Sequence, residues 1–223
     1  MLSLLLIAVA SYLLGSVSFS LIAGRLMGVD LHAQGSGSAG ATNAFRVLGP
    51  GPGATVFALD VVKGLLATAL IAKLRVTPLP AFLGEEADTW AQLLAMASVM
   101  VGHVYTFVGR IFYGKWRGGK GVATGAGALL GVAPVALLVA VVVFAGVAFA
   151  TRYVSLGSIL ATTSIPITLL VQRALGVAVP WPVLGLAVLL PPFIAYTHRE
   201  NIRRLRAGTD RHGHQPGRHR PGG

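Results

Sequence analysis

The 223-residue chain contains no cysteine and only seven acidic residues. Without cysteine there is no disulfide, no thiolate metal site and no cysteine nucleophile. Charged side chains make up 11% of the sequence, too few to cover an ordinary soluble domain. The GxSxG elbow of hydrolases and the HExxH helix of zinc proteases are also absent. What is present is apolar. Hydrophobic residues account for 54% of the chain and recur in long runs, the pattern of a single polytopic α-helical membrane domain.

Eighteen lysines and arginines give a formal charge of +11. No nucleic-acid-binding motif accompanies this charge, so nucleic acid is not the expected partner. The basic residues lie in short loops and at the C-terminus, where cytoplasmic loops face anionic lipids. The first apolar run carries no basic residue ahead of it and is read as a retained helix, not a cleaved signal. Arg25 follows that helix, which puts the N-terminus outside and the first loop in the cytoplasm.

Length and polarity predict helices over about 2–24, 53–74 and 90–109. "GPGPG" at 49–53 should interrupt any helix. The loop at about 75–89 is acidic (Glu85, Glu86, Asp88) and belongs outside. Loop 110–121 is basic and belongs inside. Apolar stretches then cover about 121–151, 153–171 and 180–197, before the basic tail. Three crossings from the inside would leave that tail outside. The stretch 121–151 is longer than the roughly 20 residues one crossing needs. A break near Pro134 would restore parity, giving seven transmembrane helices and a cytoplasmic C-terminus. Five helices with re-entrant segments is the alternative. Residues 1–200 form the membrane domain, and 201–223 a basic cytoplasmic tail expected to be disordered after about 210. The tail histidines at 212, 214 and 219 have no carboxylate or cysteine spacing that would suit zinc.

Unusual chemistry gathers in the segments predicted to face the cytoplasm. "GSGSAGATNAFR" at 35–46 combines glycines with hydroxyls, an amide and a guanidinium. Gly35 and Gly37 allow close backbone approach, and successive N–H groups can cradle an anion. Ser36, Ser38, Thr42 and Asn43 add neutral donors, and Arg46 offers a fork for phosphate. Thr42 or Asn43 could equally cap a helix. "RGGKGVATG" at 117–125 places Gly118, Gly119 and Lys120 before another apolar helix, a position that suits anions but does not match a Walker A loop. Asp60 and Lys63 lie three residues apart inside an otherwise apolar helix, as intramembrane functional charges or a structural pair. His103 ends the third helix beside the basic loop. Arg152 with Ser155, and His198 with Asn201 around Glu200, complete the candidates.

In this order the motifs "GSGSAGATNAFR", "LDVVKG", "GHVY", "RGGKGVATG", "RYVSL" and "HRENIRRLRAGTD" resemble those of the bacterial acyl-phosphate:glycerol-3-phosphate acyltransferases, over about residues 15–210. Ser38 stands where that family usually has asparagine, and Thr106 where it has proline. The run from His103 to Lys120 is longer than usual, and Asp210 replaces a glutamate. The HxxxxD pattern of acyl-CoA-dependent glycerophosphate acyltransferases is absent.

The resemblance implies a multi-pass enzyme of the bacterial inner membrane in phospholipid biosynthesis. Its active site would face the cytoplasm. It would move an acyl group from acyl phosphate to the 1-hydroxyl of sn-glycerol 3-phosphate, without metal or cofactor. Functional coupling to a peripheral acyl-phosphate-forming enzyme is part of the same expectation. The candidate catalytic residues are His103, Ser36, Lys120 and His198. Gly35, Gly37, Thr42, Asn43, Arg46, Lys63, Gly118, Gly119, Arg152, Ser155 and Asn201 join them as phosphate or substrate contacts, with Asp60 and Glu200 in support. A transporter or channel for phosphorylated metabolites is the competing reading, since basic residues on broken helices would suit it as well.

Overall fold

The computed structural model describes residues 1–209, and the tail histidines and Asp210 lie outside them. Eleven α-helices occur among the described residues: α1 (Leu2–Ser16), α2 (Phe19–Leu26), α3 (Ala41–Val47), α4 (Pro50–Ala69), α5 (Ala87–Val104), α6 (Phe107–Tyr113), α7 (Val122–Val132), α8 (Pro134–Thr151), α9 (Val154–Ala174), α10 (Trp181–Thr197) and α11 (Arg199–Arg206). There is no strand among these residues beyond an isolated bridge between Tyr105 and Arg117.

Four segments are long and apolar enough to cross a membrane: Leu2–Leu26, Pro50–Lys73, Pro134–Thr151 and Val154–Ala174. A fifth follows if α10 and α11, bent by 65°, are taken together. α7 is apolar but has only 11 residues. α5 has the length of a span, but it carries Asp88, Gln92 and His103.

The expected break near Pro134 is present. α7 ends at Val132, Ala133 adopts φ −146°, and Pro134 opens α8. Three other boundaries differ from the sequence reading. The first helix is interrupted, because Val17 and Ser18 adopt extended backbone between α1 and α2. "GPGPG" does not interrupt a helix but starts one. Pro50 and Pro52 fall in the first turn of α4, where an N–H has no intrahelical partner to lose. The third helix stops at Val104, and the supposed loop after it contains α6.

Small residues set the spacing of the bundle. α1 packs along α5, and α4 along α7. At Gly64 a methyl group would run into the Thr124 carbonyl, and at Gly127 into the Val61 carbonyl. Close backbone approach through glycine is how membrane helices gain packing where lipid supplies no hydrophobic drive between them. α8 packs against α9 and buries only Ala136 and Ala140, so most of its surface faces outward. The main apolar core runs from Ile7 through Met96, Val99, Leu129 and Ile165 to Ile194.

Gly127→Leu should force α4 and α7 apart at a cost of about 1–3 kcal/mol or more. A lower melting temperature and a broadened size-exclusion peak in detergent are expected, and an unchanged melting curve would show that the contact carries no weight.

Candidate active site

The break in the first helix organises one wall of the site. The last carbonyls of α1 lack helical partners, and inside a membrane water cannot replace them. The Thr106 hydroxyl donates to the Ser16 carbonyl at 2.6 Å, and Lys63 Nζ donates to the Val17 carbonyl at 2.9 Å. Lys63 also pairs with Asp60 Oδ1 at 2.7 Å and lies over the Phe19 ring. It is 1% exposed.

Asp60 also lines a cleft, and the same Oδ1 lies 3.6 Å from His103 Nδ1, beyond hydrogen-bonding distance. His103 sits beneath the second glycine-rich segment. Gly118 N–H donates to the Val104 carbonyl at 2.8 Å, and Gly119 N–H to the His103 carbonyl at 3.1 Å. A methyl group at Gly119 would collide with His103 Nε2 and Cε1. These glycines let the chain cross the end of α5, and Lys120 emerges directly after them.

The first glycine-rich segment is shaped from within. The Asn43 side chain accepts from Ser36 N–H at 2.7 Å and donates to the Leu31 and Gln34 carbonyls, both at 3.1 Å. Gly37, at φ +68°, donates its N–H to the Gln34 carbonyl at 3.0 Å. His32 Nδ1 lies 3.3 Å from the Gly37 carbonyl, so it is the protonated nitrogen there, and the ring packs edge-on to Tyr113. The two glycine-rich segments meet directly, since Ala39 N–H donates to the Gly118 carbonyl at 3.2 Å.

The third wall is α11 with the end of α10. His198 Nδ1 lies 2.8 Å from the Ile194 carbonyl, which fixes the proton on that nitrogen. Lys120 Nζ bonds Asn201 Oδ1, and the Thr197 hydroxyl donates to the Lys120 carbonyl at 3.1 Å. Arg117 holds Glu200 at 2.8 Å and so ties α11 to the same segment.

One cleft therefore gathers Ser36, Thr42, Arg46, His103, Lys120, Ser155, His198 and Asn201, residues the sequence had marked in five separate segments. An adjoining polar hollow shares Ser36, Ser38, Lys120 and Asn201. In the other direction the cleft continues past Phe57, Val122 and Phe144 into an almost wholly apolar groove between α5, α7, α8, α9 and α10. A cationic, hydroxyl-rich head joined to an apolar channel fits an amphiphile with a phosphate at the end of an acyl chain.

Several expected contacts take other roles. Lys63 does not line the cleft; its ammonium closes the α1–α2 break, and its partner Asp60 is the cleft residue. Arg152 is exposed and outside the cleft, holding the left-handed turn that ends α8 (φ 62°). Asn43 is a cleft residue whose amide is committed to the loop's own backbone. The N–H groups of Ser36, Gly37, Gly118 and Gly119 are likewise donated internally, to Asn43 or to backbone carbonyls. Gly35, also at positive φ, packs against Asn43. Ser36 Oγ has no base within hydrogen-bonding distance among the described residues, which leaves it unactivated as a nucleophile. Gly35, Gly37 and Gly40 fall at GxGxxG spacing, but no strand precedes them and the spacing carries no dinucleotide meaning here. Among the described residues no group of three His, Asp or Glu could hold a metal.

Arg204, Ser158 and His32 were missed. Arg204 lines both the cleft and the adjoining hollow. Its signal was spacing: His198, Asn201 and Arg204 recur every three residues and share one helical face. His32 had no such signal, because its role depends on where the chain returns at Gly37.

The features so far describe a bundle of membrane-length apolar helices with a cationic, hydroxyl-rich cleft joined to an apolar groove. The comparisons make the class definite. The pattern of the family described as glycerol-3-phosphate acyltransferase matches residues 5–208. A glycerol-3-phosphate acyltransferase of Pelodictyon phaeoclathratiforme is 40% identical, with 94% of this chain and 96% of that one covered. One from Geobacter sulfurreducens is 38% identical, covering 94% and 97%. The crystal structure of PlsY, an integral membrane glycerol 3-phosphate acyltransferase, in its glycerol 3-phosphate form is similar with a TM-score of 0.79 at 37% identity, covering 94% and 95%. Its lysophosphatidic acid form gives 0.77 at 36%. The chain belongs to the glycerol-3-phosphate acyltransferase family and is a multi-pass membrane acyltransferase.

Two tests follow from the geometry. Lys63→Met leaves Asp60 as an uncompensated buried charge and should cost about 3–5 kcal/mol. The double variant Asp60→Asn/Lys63→Met should recover much of the melting temperature but little activity, because Asp60 faces the cleft. Full activity in the stable double variant would remove Asp60 from the site. The second test concerns Glu200. Burial pushes its carboxyl up, but the Arg117 guanidinium outweighs this with help from Arg204 and Arg199, and holds it below its ordinary value. The lowered group stabilises the fold above the ordinary carboxylate pKa, about 4.3, and that contribution is lost as pH falls through the lowered value. Arg117 is 53% exposed and Glu200 itself 39%, so the effect should stay under about 1 kcal/mol. Melting curves between pH 7 and 3 should show a slightly smaller acid shift for Glu200→Gln; an identical shift would discount the pair.

Proposed function

We propose that this chain transfers a fatty acyl group from acyl phosphate to the 1-hydroxyl of sn-glycerol 3-phosphate, giving lysophosphatidic acid and inorganic phosphate. This is the first acylation of bacterial phospholipid synthesis. The supporting observation is the joining of one polar, cationic cleft to one apolar groove, because both substrates carry phosphate and only one carries an acyl chain. PlsY in its glycerol 3-phosphate and lysophosphatidic acid forms has the same fold.

Acyl phosphate is a mixed anhydride and already activated, so the enzyme's work is positioning and charge stabilisation. Lys120, Arg46 and Arg204 supply positive charge for the phosphates, with Ser36, Thr42, Ser155 and Asn201 as neutral contacts and His198 donating or accepting through Nε2. The glycerol hydroxyl attacks the acyl carbon, and the carbon–oxygen bond to phosphate breaks. The hydroxyl proton goes to His103, whose Nδ1 lies 3.6 Å from Asp60, or to the phosphate itself. No covalent acyl-enzyme is required. The transporter reading loses support because the cleft continues into an apolar groove instead of a polar path.

The same proposal includes the membrane path. Val122 at the start of α7 and Val154 after α8 both line the cleft, so α7 leads away from it and α8 returns. With α1–α2, α4, α5, α9 and α10 this makes seven crossings, α7 being short. The N-terminus then lies outside. The cleft and C-terminus face the cytoplasm of the bacterial inner membrane, within reach of a peripheral enzyme that forms acyl phosphate. Arg46, Lys120 and Arg204 line the cleft, whereas Glu85, Glu86 and Asp88 lie in the segment where Arg75 pairs with Asp88, an imbalance that supports this orientation.

Purified protein in lipid nanodiscs with chelator present should form lysophosphatidate from acyl phosphate and glycerol 3-phosphate. Lys120→Ala should lower kcat by about 100-fold or more. Product from acyl-CoA alone, or normal turnover in Lys120→Ala, would overturn the donor or the site respectively.

A further inference from the structure

The longer run between His103 and Lys120 builds a feature outside the cleft. Thr106 N–H donates to the Trp116 carbonyl at 3.0 Å, and Tyr105 bridges Arg117, so the excursion is pinned at its base. Thr106 Oγ1 accepts from Gly109 N–H and caps α6. Gly109 then lets α6 lie against Leu21 of α2. The outer surface of this corner is apolar and exposed: Leu26 is 83% exposed, Ile111 60% and Phe112 42%. Arg25, Arg110 and Lys115 are exposed beside them, and the Arg25 guanidinium stacks on the Phe112 ring at 4.8 Å. Among the described residues, Asp30 is the acidic residue near this corner, and it already accepts the His32 N–H.

α2 ends the apolar segment Leu2–Leu26, and α6 starts three residues after α5 ends. The corner therefore sits where membrane helices emerge, at headgroup depth. Exposed aliphatic and aromatic groups there meet acyl chains, and cations above them meet phosphate. We propose that the α2–α6 corner is a binding site for anionic phospholipid headgroups, with Arg25, Arg110 and Lys115 on the phosphate and the apolar face of α6 in the acyl region beneath it. A second copy of the chain fits less well, since a symmetric contact would bring two sets of three cations together. The inference rests on the membrane reading of the fold and is independent of which acyl donor the cleft uses.

Native mass spectrometry of the full chain, released from detergent with equimolar phosphatidylglycerol and phosphatidylcholine and no substrate, tests it. The wild type should retain phosphatidylglycerol preferentially. Removing the charges in R25Q/R110Q/K115Q should weaken that retention roughly fivefold per charge, about a hundredfold in all. Lys73→Gln, an exposed charge on another segment, should leave it unchanged, and an unaltered melting temperature of the triple variant guards against misfolding. Ile111→Ser should lower retention of both lipids. Equal phosphatidylglycerol retention in wild type and triple variant, or the same loss in Lys73→Gln, would overturn the proposal. A dimer abolished by the triple variant would assign the corner to self-association instead.

Discussion

A lysine ammonium inside an apolar bundle has to find its partners there, and much of this structure follows from where Lys63 finds them. It bonds Asp60 on its own helix and the Val17 carbonyl across the bundle. The carbonyl is available because two non-helical residues, Val17 and Ser18, separate α1 from α2. The ammonium thus holds the break open and fixes α4 against the first helix. The same pairing turns Asp60 toward His103, which lies under Gly119 and next to Lys120. A charge pair that would be costly alone becomes the link between a helix break and the base of the cleft.

Around that link the polar atoms are divided between those that build the walls and those that face the ligand. The Ser36, Gly37, Ala39, Gly118 and Gly119 N–H groups are tied to carbonyls or to Asn43, which braces both glycine-rich segments. The cleft is lined by guanidinium, ammonium, imidazole and hydroxyl groups from α3, the α7 entry, α9 and α11. Electrostatic stabilisation benefits from such fixed groups, which need little reorganisation when charge develops. The groove below needs the opposite chemistry, and Gly125, Ala126, Ala140 and Ala161 leave the width for it.

Much of this was legible from residue types. Long apolar runs with few charges specify membrane helices, and the stretch 121–151 around Pro134 was too long for one of them. Clustered glycine, hydroxyl and basic residues marked the segments that do converge. Lys63 was read as a ligand contact because its ammonium suits phosphate, but it meets Asp60 and the Val17 carbonyl. Asn43, Gly118 and Gly119 do line the cleft or the adjoining hollow, and the donors named above for them are taken by carbonyls that come near only in the folded chain. "GPGPG" was misread because proline ends a helix in its interior and starts one in its first turn, and composition does not tell the two apart.

The sequence by itself determined the class of structure, the segments that carry chemistry and the family, since these depend on apolar length, charge placement and motif order. Tertiary structure decided which atoms of those segments remain to act. A buried donor is satisfied by whatever oxygen lies within 3 Å, and that neighbour is set by helix packing. The pairing of Lys63 with Val17, the bracing of His32 on Gly37 and the α2–α6 corner all depend on contacts between residues that the chain brings together only when folded.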